Sequence, residues 1–184
     1  MGQKSSTHEP VSTSQKLEDL YALIDKIEMA MMVTRTATGQ LVSRAMSTQK
    51  RASGADLWFA SENDSDKVRE IERERNVNLS YYRESSREWV SVSGNARVVR
   101  DRAKIRELYA PDWKAWFGDE GGERNGGPDD PRIVLIAVDV VIAHYMCVTK
   151  PKPVVMFEVL KGMVTGTRPD VGEVREVNGP AARH

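Results

Sequence analysis

The sequence predicts an α+β domain in which six strands, in hairpin order, form an antiparallel sheet that closes into a small barrel with flanking helices. Three observations lead there. Segments 29–36 with 41–49, and 77–83 with 89–100, are β-compatible pairs joined by short polar turns, as antiparallel neighbours are. Residues 132–141 form the strongest strand in the chain, and six strands of such lengths suit a small barrel. Only the segment at Asp56 is followed closely by a helical stretch and then another strand, which argues against a doubly wound parallel sheet.

Composition bounds the rest. A chain of 184 residues and 20.6 kDa suits one domain with tails, large enough to bury roughly 70% of its unfolded surface. Lys plus Arg and Asp plus Glu both number 27, for a net charge of zero. That balance removes the long-range positive field of a general nucleic-acid binder. The single cysteine, Cys147, excludes an internal disulfide and a cysteine-based zinc cluster. His8, His144 and His184 are too dispersed for a metal motif, so no metal is expected. No apolar run approaches the roughly 20 residues of a membrane helix. The N-terminal residues lack an apolar signal core, and a cytoplasmic protein with no membrane partner is expected.

Taken in order, residues 1–13 are polar and read as a flexible N-terminal segment, and the domain proper spans 14–166. Ser12 and Gln15 suggest a capping box, after which Leu17, Leu20, Ile24 and Ile27 share one helix face. Thr38-Gly39 turns the first hairpin, whose return arm alternates Val42, Arg44, Met46 and Thr48 against Leu41, Ser43, Ala45, Ser47 and Gln49. Residues 56–60 read as a short buried strand. The capping residues 61–65 then lead into a helix over 66–76 with Val68 and Ile71 inward. Asp101 caps a helix through Tyr109, and Pro111 opens a short aromatic helix. Five glycines and two prolines make 118–131 a mobile loop. The strand at 132–141 continues past a bend to Cys147. Pro151 and Pro153 precede a helix over 154–165, and 167–184 is a polar tail.

One region is suited to chemistry. A bound phosphate needs fixed cations together with hydroxyl or amide donors, best at a helix N-terminus. Around Ser61 a strand ends, hydroxyl residues follow, a helix starts, and Lys67 lies in its first turn. Arg44 sits mid-strand, where a barrel would have to neutralise its charge; a phosphate shared with Lys67 does so, and so does a carboxylate. On spacing alone Arg44 is as readily a salt-bridged residue, and Ser65 a plain helix cap.

The order of several short motifs adds to this. Ser43-Arg44-Ala45-Met46, Asp56-Leu57-Trp58-Phe59, Ser65-Asp66-Lys67-Val68 and Val77-Asn78-Leu79-Ser80-Tyr81 occur in sequence. Val90-Ser91-Val92-Ser93-Gly94, Lys114-Ala115-Trp116-Phe117, Gly127-Pro128-Asp129-Asp130-Pro131 and the stretch 165–173 follow. Together they make the chain resemble the pyridoxamine-phosphate-oxidase-like FMN-binding split barrels, and most closely their general-stress-protein branch.

The resemblance implies a Greek-key-like split barrel, homodimeric, with a flavin in the groove between subunits. Arg44 would contact the FMN phosphate with Lys67 as the second cation, and Ala60 and Ser61 would reach the phosphate or ribityl chain. Ala45, Met46 and Ser47 would run beside the ring. Gln49 stands where the oxidases carry a lysine, and Trp89 where they place a glutamine against the flavin. Trp116 and Phe117 would cover the ring from the partner or, equally, anchor their helix. FMN is the implied cofactor, with FAD or a deazaflavin as alternatives. The implied function is that of a flavin-binding stress protein: either an oxidoreductase using NADH or NADPH, or a non-catalytic store or sensor. Oxidation of pyridoxamine phosphate is not expected, because of Gln49 and because an arginine-rich closing strand is replaced by a helix and a polar tail.

Overall fold

The computed structural model describes residues 11–148, 152–166 and 172–179. Its elements are α1 (Thr13–Ile27), β1 (Met29–Arg35), β2 (Leu41–Ser47), β3 (Leu57–Glu62), α2 (Asp66–Arg73), β4 (Asn76–Arg83) and β5 (Glu88–Val99). There follow α3 (Arg102–Leu108), α4 (Trp113–Phe117), β6 (Ile133–Cys147), α5 (Lys152–Thr165) and β7 (Glu173–Asn178). Strand order is β2-β1-β4-β5-β6-β3, with β7 added beside β6, and all pairings are antiparallel. The two ends of the path meet at one bridge, Thr48 with Phe59. The Gln49 amide donates to the Trp58 carbonyl beside it at 2.8 Å. The six strands are thus an antiparallel split barrel with flanking helices, the α+β fold the sequence predicts.

Two-sided burial explains the apolar run at the start of β6. Ile136, Val138 and Val140 enter the barrel core with Leu20 and Ile24 of α1, Met32, Phe59, Leu79 and Val92. Ile133, Leu135 and Ala137 face the other way, into a second core with Trp58, Ile105, Leu108 and Trp113. A strand covered on both faces has no reason to alternate. The bend foreseen near residue 141 is a β-bulge. Ser93 pairs with Ile142 but Gly94 with Val140, leaving Val141 as the extra residue. A Cβ on Gly94 would meet the Asp139 carbonyl oxygen and Val138 Cγ1, each at 2.8 Å, so the close approach of β5 to β6 requires glycine there.

Three local expectations change. Helix α2 stops at Arg73 rather than 76, because Glu74 is extended (φ −136°, ψ 116°) and Asn76 already pairs with Asn95. Residues 173–178, read as polar tail, form β7; Val177 alone buries its side chain, and the rest are held by β6 backbone pairing. The segment after α5 thus ends in a strand rather than in a polar tail, and its Arg175 pairs with Asp19 and Glu173. Residues 1–10, 167–171 and 180–184 lie outside the described residues.

The glycine-rich segment 118–131 is pinned at its end. Asp130 is fully buried, accepting from the Gly126 amide at 2.8 Å and from the Arg132 guanidinium at 2.7 Å. Those bonds, the Arg132 ones above all, hold its carboxyl down at about 2. A carboxylate depressed in the folded state stabilises above its ordinary pKa, and that contribution is lost as pH falls through the folded value. Asp130→Asn is accordingly expected to cost on the order of 2 kcal/mol at neutral pH. In urea melts of both proteins across pH, the difference should shrink between about pH 4 and pH 2; a constant difference would contradict this account.

Candidate functional site

The cationic site is built where β2, β3 and the start of α2 come together. On β2, alternation turns Arg44 and Met46 inward and leaves Ser43, Ala45 and Ser47 exposed. Arg44 Nη2 donates to Glu70 Oε2 of α2 at 2.8 Å, and Nη1 donates to Thr34 Oγ1. The Thr34 hydroxyl in turn donates to Glu70 Oε2 at 2.5 Å. Thr34 and Glu70 are both buried. Of the two partners the sequence allowed for Arg44, the structure supplies a carboxylate.

Lys67 lies one turn before Glu70, on the same helical face. Its Nζ donates to Ser61 Oγ at 3.1 Å, and Ser61 Oγ lies 3.1 Å from Ser65 Oγ. Burial, and then the nearby Arg44 guanidinium, push the Lys67 ammonium below the usual lysine value; Glu62, Asp66 and Glu70 oppose this. Ser65 occupies the N-cap position of α2, yet its side chain makes no capping bond. It donates instead to the Glu62 carbonyl at 2.8 Å, so the first-turn amides of α2 have no side-chain oxygen on them.

Arg44, Lys67, Ser61 and Ser65 therefore converge, while the Ala60 side chain faces the other way, onto the second core. The other predicted residues disperse. The Met46 side chain is in the barrel core, leaving only its backbone for a ligand, while Ala45 and Ser47 point outward from an edge strand. Gln49 is committed to packing: its Oε1 accepts from Trp113 Nε1 at 2.8 Å, and its Nε2 donates to the Ser47 carbonyl at 3.0 Å. Trp89 pairs with Tyr82 and Met146 on the outer face, with β4 and β1 between its strand and β2. Trp116 is 81% exposed, whereas Phe117 packs on the second core, the anchoring role.

Sequence reasoning missed Glu70 and Thr34. The signal for Glu70 was its spacing three residues after Lys67; Thr34 gave none, since its role follows from register. An open cleft of about 480 Å³ shares Thr34 with this cluster and is lined further by Val33, Leu41, Asn76, Asn78 and Ser93. Among the described residues no cluster of His, Cys, Asp and Glu is fit to hold a metal ion. No helix among them is long and apolar enough to cross a membrane.

A site of this kind offers two cations, two hydroxyls and helix amides to one small anion, with a carboxylate fixing the arginine. Comparison with known proteins identifies the family. Residues 15–170 match the family described as pyridoxamine 5'-phosphate oxidase like. Protein bli-3 of Neurospora crassa is 38% identical over 171 residues, which span 91% of this chain and 82% of that protein. Among solved structures, a protein assigned as general stress protein 26 from Jannaschia sp. CCS1 superposes with a TM-score of 0.70 at 19% identity. The match covers 90% of this chain and 99% of that one. The general stress FMN/FAD binding protein of Xanthomonas citri gives 0.59 at 22% identity, covering 72% and 88%. At such identities these structures establish a shared fold.

Proposed function

The chain belongs to the pyridoxamine 5'-phosphate oxidase like family, and on that premise we propose that it is a flavin-binding protein holding FMN by its phosphate. The observation that carries this reading is the pairing of Lys67 with Ser61 at the uncapped start of α2, with Arg44 held on Glu70 one turn further along the helix. An ammonium kept below its usual pKa by burial and then by a neighbouring guanidinium is a site that gains from a dianion. Helix N-terminal amides add to the attraction. The compactness of the cluster suits one phosphate monoester, hence FMN over FAD. Solved proteins of this fold include an FMN/FAD binding protein and an F420 reductase.

Arg44 and Lys67 bind the tail, Ser61 and the α2 amides orient it, and Glu70 with Thr34 hold the Arg44 guanidinium in place. The exposed flank of Ala45 and Ser47 receives the ring. We propose a homodimer whose second copy covers it there. Bound flavin supplies hydride and electron transfer, and NADH or NADPH is the proposed reductant. Pyridoxamine phosphate is not the proposed substrate, since Gln49 brings no cation and is held by Trp113. A cytoplasmic setting, with neither nucleic acid nor membrane as partner, completes the proposal.

The test is the purified protein itself. It should be yellow, with the extracted ligand giving the mass of FMN; colourless protein that ignores added FMN would overturn the reading. Bleaching by NADH or NADPH followed by turnover with a quinone would identify an oxidoreductase. A flavin that binds and stays oxidised would identify a store or sensor.

A further inference from the structure

Twelve large apolar side chains are exposed among the described residues, and eleven fall in two places. Six are on α5: Val154, Met156, Phe157, Leu160, Met163 and Val164, from 41% to 88% exposed. Met156, Leu160 and Met163 recur at i, i+4 and i+7, with Phe157 and Val164 alongside, making one continuous stripe. Of its described residues, Glu158 and Gly162 are the half-buried ones, and every large apolar side chain described on this helix is exposed.

The other five are Met29, Met31, Leu41, Tyr82 and Val174, on the outer face of the sheet. Cross-strand register joins Tyr82, Trp89, Met146 and Val174 into one row, and that row ends on β7, the strand α5 leads into. The outward positions Met29, Met31, Val33, Ser43, Ala45 and Ser47 carry no charge, while Arg35 at the end of β1 and Glu176 on β7 bring charge to the same face.

We infer that the apolar stripe of α5 is buried against a second copy of this chain, an inference that builds on the dimer proposed above by naming the element that clasps the partner. The exposed area of these eleven side chains is of the order of the roughly 800 Å² each partner contributes to a standard interface. Monomers rarely leave so much apolar surface open. A lipid surface fits less well: interfacial helices are rich in Lys and Arg on their polar side, whereas α5 has Lys152, Lys161 and Glu158. The apolar row Tyr82, Trp89, Met146 and Val174, which ends on the strand that follows α5 in the chain, gives a second copy a further apolar surface to meet.

The experiment is sedimentation equilibrium of the full chain, with and without FMN, comparing wild type with Met156→Lys/Leu160→Lys and with a Glu123→Ser control, an exposed position outside both apolar regions. Because the substituted residues are exposed, near-wild-type circular dichroism is expected, and Met163→Ser/Val164→Ser is a milder second variant. Wild type and control should be dimers, and the α5 variants should dimerise at least about a hundredfold more weakly. A monomeric wild type, α5 variants that dimerise as well as wild type, or α5-dependent pelleting of wild type with phosphatidylserine vesicles would each overturn the inference. Unchanged dimers in the α5 variants with FMN still bound would leave the flavin reading standing. Dimerisation through α5 without any FMN binding would leave this inference standing alone.

Discussion

Arg44→Ala is expected to raise the dissociation constant for FMN by about 10- to 150-fold while changing that for riboflavin by less than about threefold, because it removes one charge-assisted phosphate bond worth roughly 1.5–3 kcal/mol. Lys67→Ala should do the same, and fluorescence titration with the two ligands measures both. Lys67 adds a pH signature. With its ammonium held below the ordinary lysine value by burial and by Arg44, wild-type affinity for FMN should start to fall on the alkaline side before an unperturbed lysine would titrate. Affinity for riboflavin should stay level there. Equal losses for the two ligands in either variant would show that the cluster is not the phosphate site.

Glu70 supplies the control. Removing Arg44 leaves a buried carboxylate with Thr34 as its remaining close partner, which should cost about 1–3 kcal/mol of stability. Weak binding by Arg44→Ala therefore has to be separated from partial unfolding. Adding Glu70→Gln keeps the shape, removes the stranded charge and should restore the melting temperature without restoring FMN. Glu70→Gln alone leaves Arg44 with an amide oxygen to donate to and unbalances the site toward positive charge. Its FMN affinity should equal or exceed that of wild type.

The difference between what the sequence revealed and what it hid follows from range. Arg44, Ser61 and Lys67 were legible because each sits at a place the local pattern marks: mid-strand, strand end, first turn of a helix. Thr34 was not, because its partnership with Arg44 depends on how β1 and β2 align, where Met32 rather than Thr34 faces Arg44 and the long guanidinium reaches along the sheet. The hairpins and the bulged β6 were visible in turn residues and apolar runs. Strand β7 was invisible because an edge strand stabilised by backbone pairing needs little apolar sequence. The bond Gln49 accepts from the Trp113 indole was not legible either, since that indole lies 64 residues away. The apolar stripe of α5 could be read only as a helix; that it faces outward is a fact of packing.

Phe59→Ala is expected to remove about 3–5 kcal/mol of stability, the range for deleting a fully buried aromatic ring. Phe59 is completely enclosed in the barrel core, and its position makes a cavity there hard to collapse. Its backbone pairs with Ile136 on one side and bridges Thr48 on the other, so the ring lies under the one seam that closes the barrel. Elsewhere in the sheet, neighbouring strands share several ladder bonds, and a lost side chain is spread over all of them. At the seam, β2 and β3 are joined by the Thr48 bridge and the Gln49 amide bond. The same seam separates Arg44 on β2 from Ser61 on β3, so a loosened closure should weaken FMN as well as the fold. Chemical denaturation gives the first effect, and amide exchange at Gln49, faster than in wild type, locates it. Glu18→Ala, at an exposed position of α1, should change stability by less than about 0.5 kcal/mol. A Phe59→Ala variant losing no more than that control would mean the closure is held from elsewhere, and the site would then owe its geometry to β1 and α2 instead of the seam.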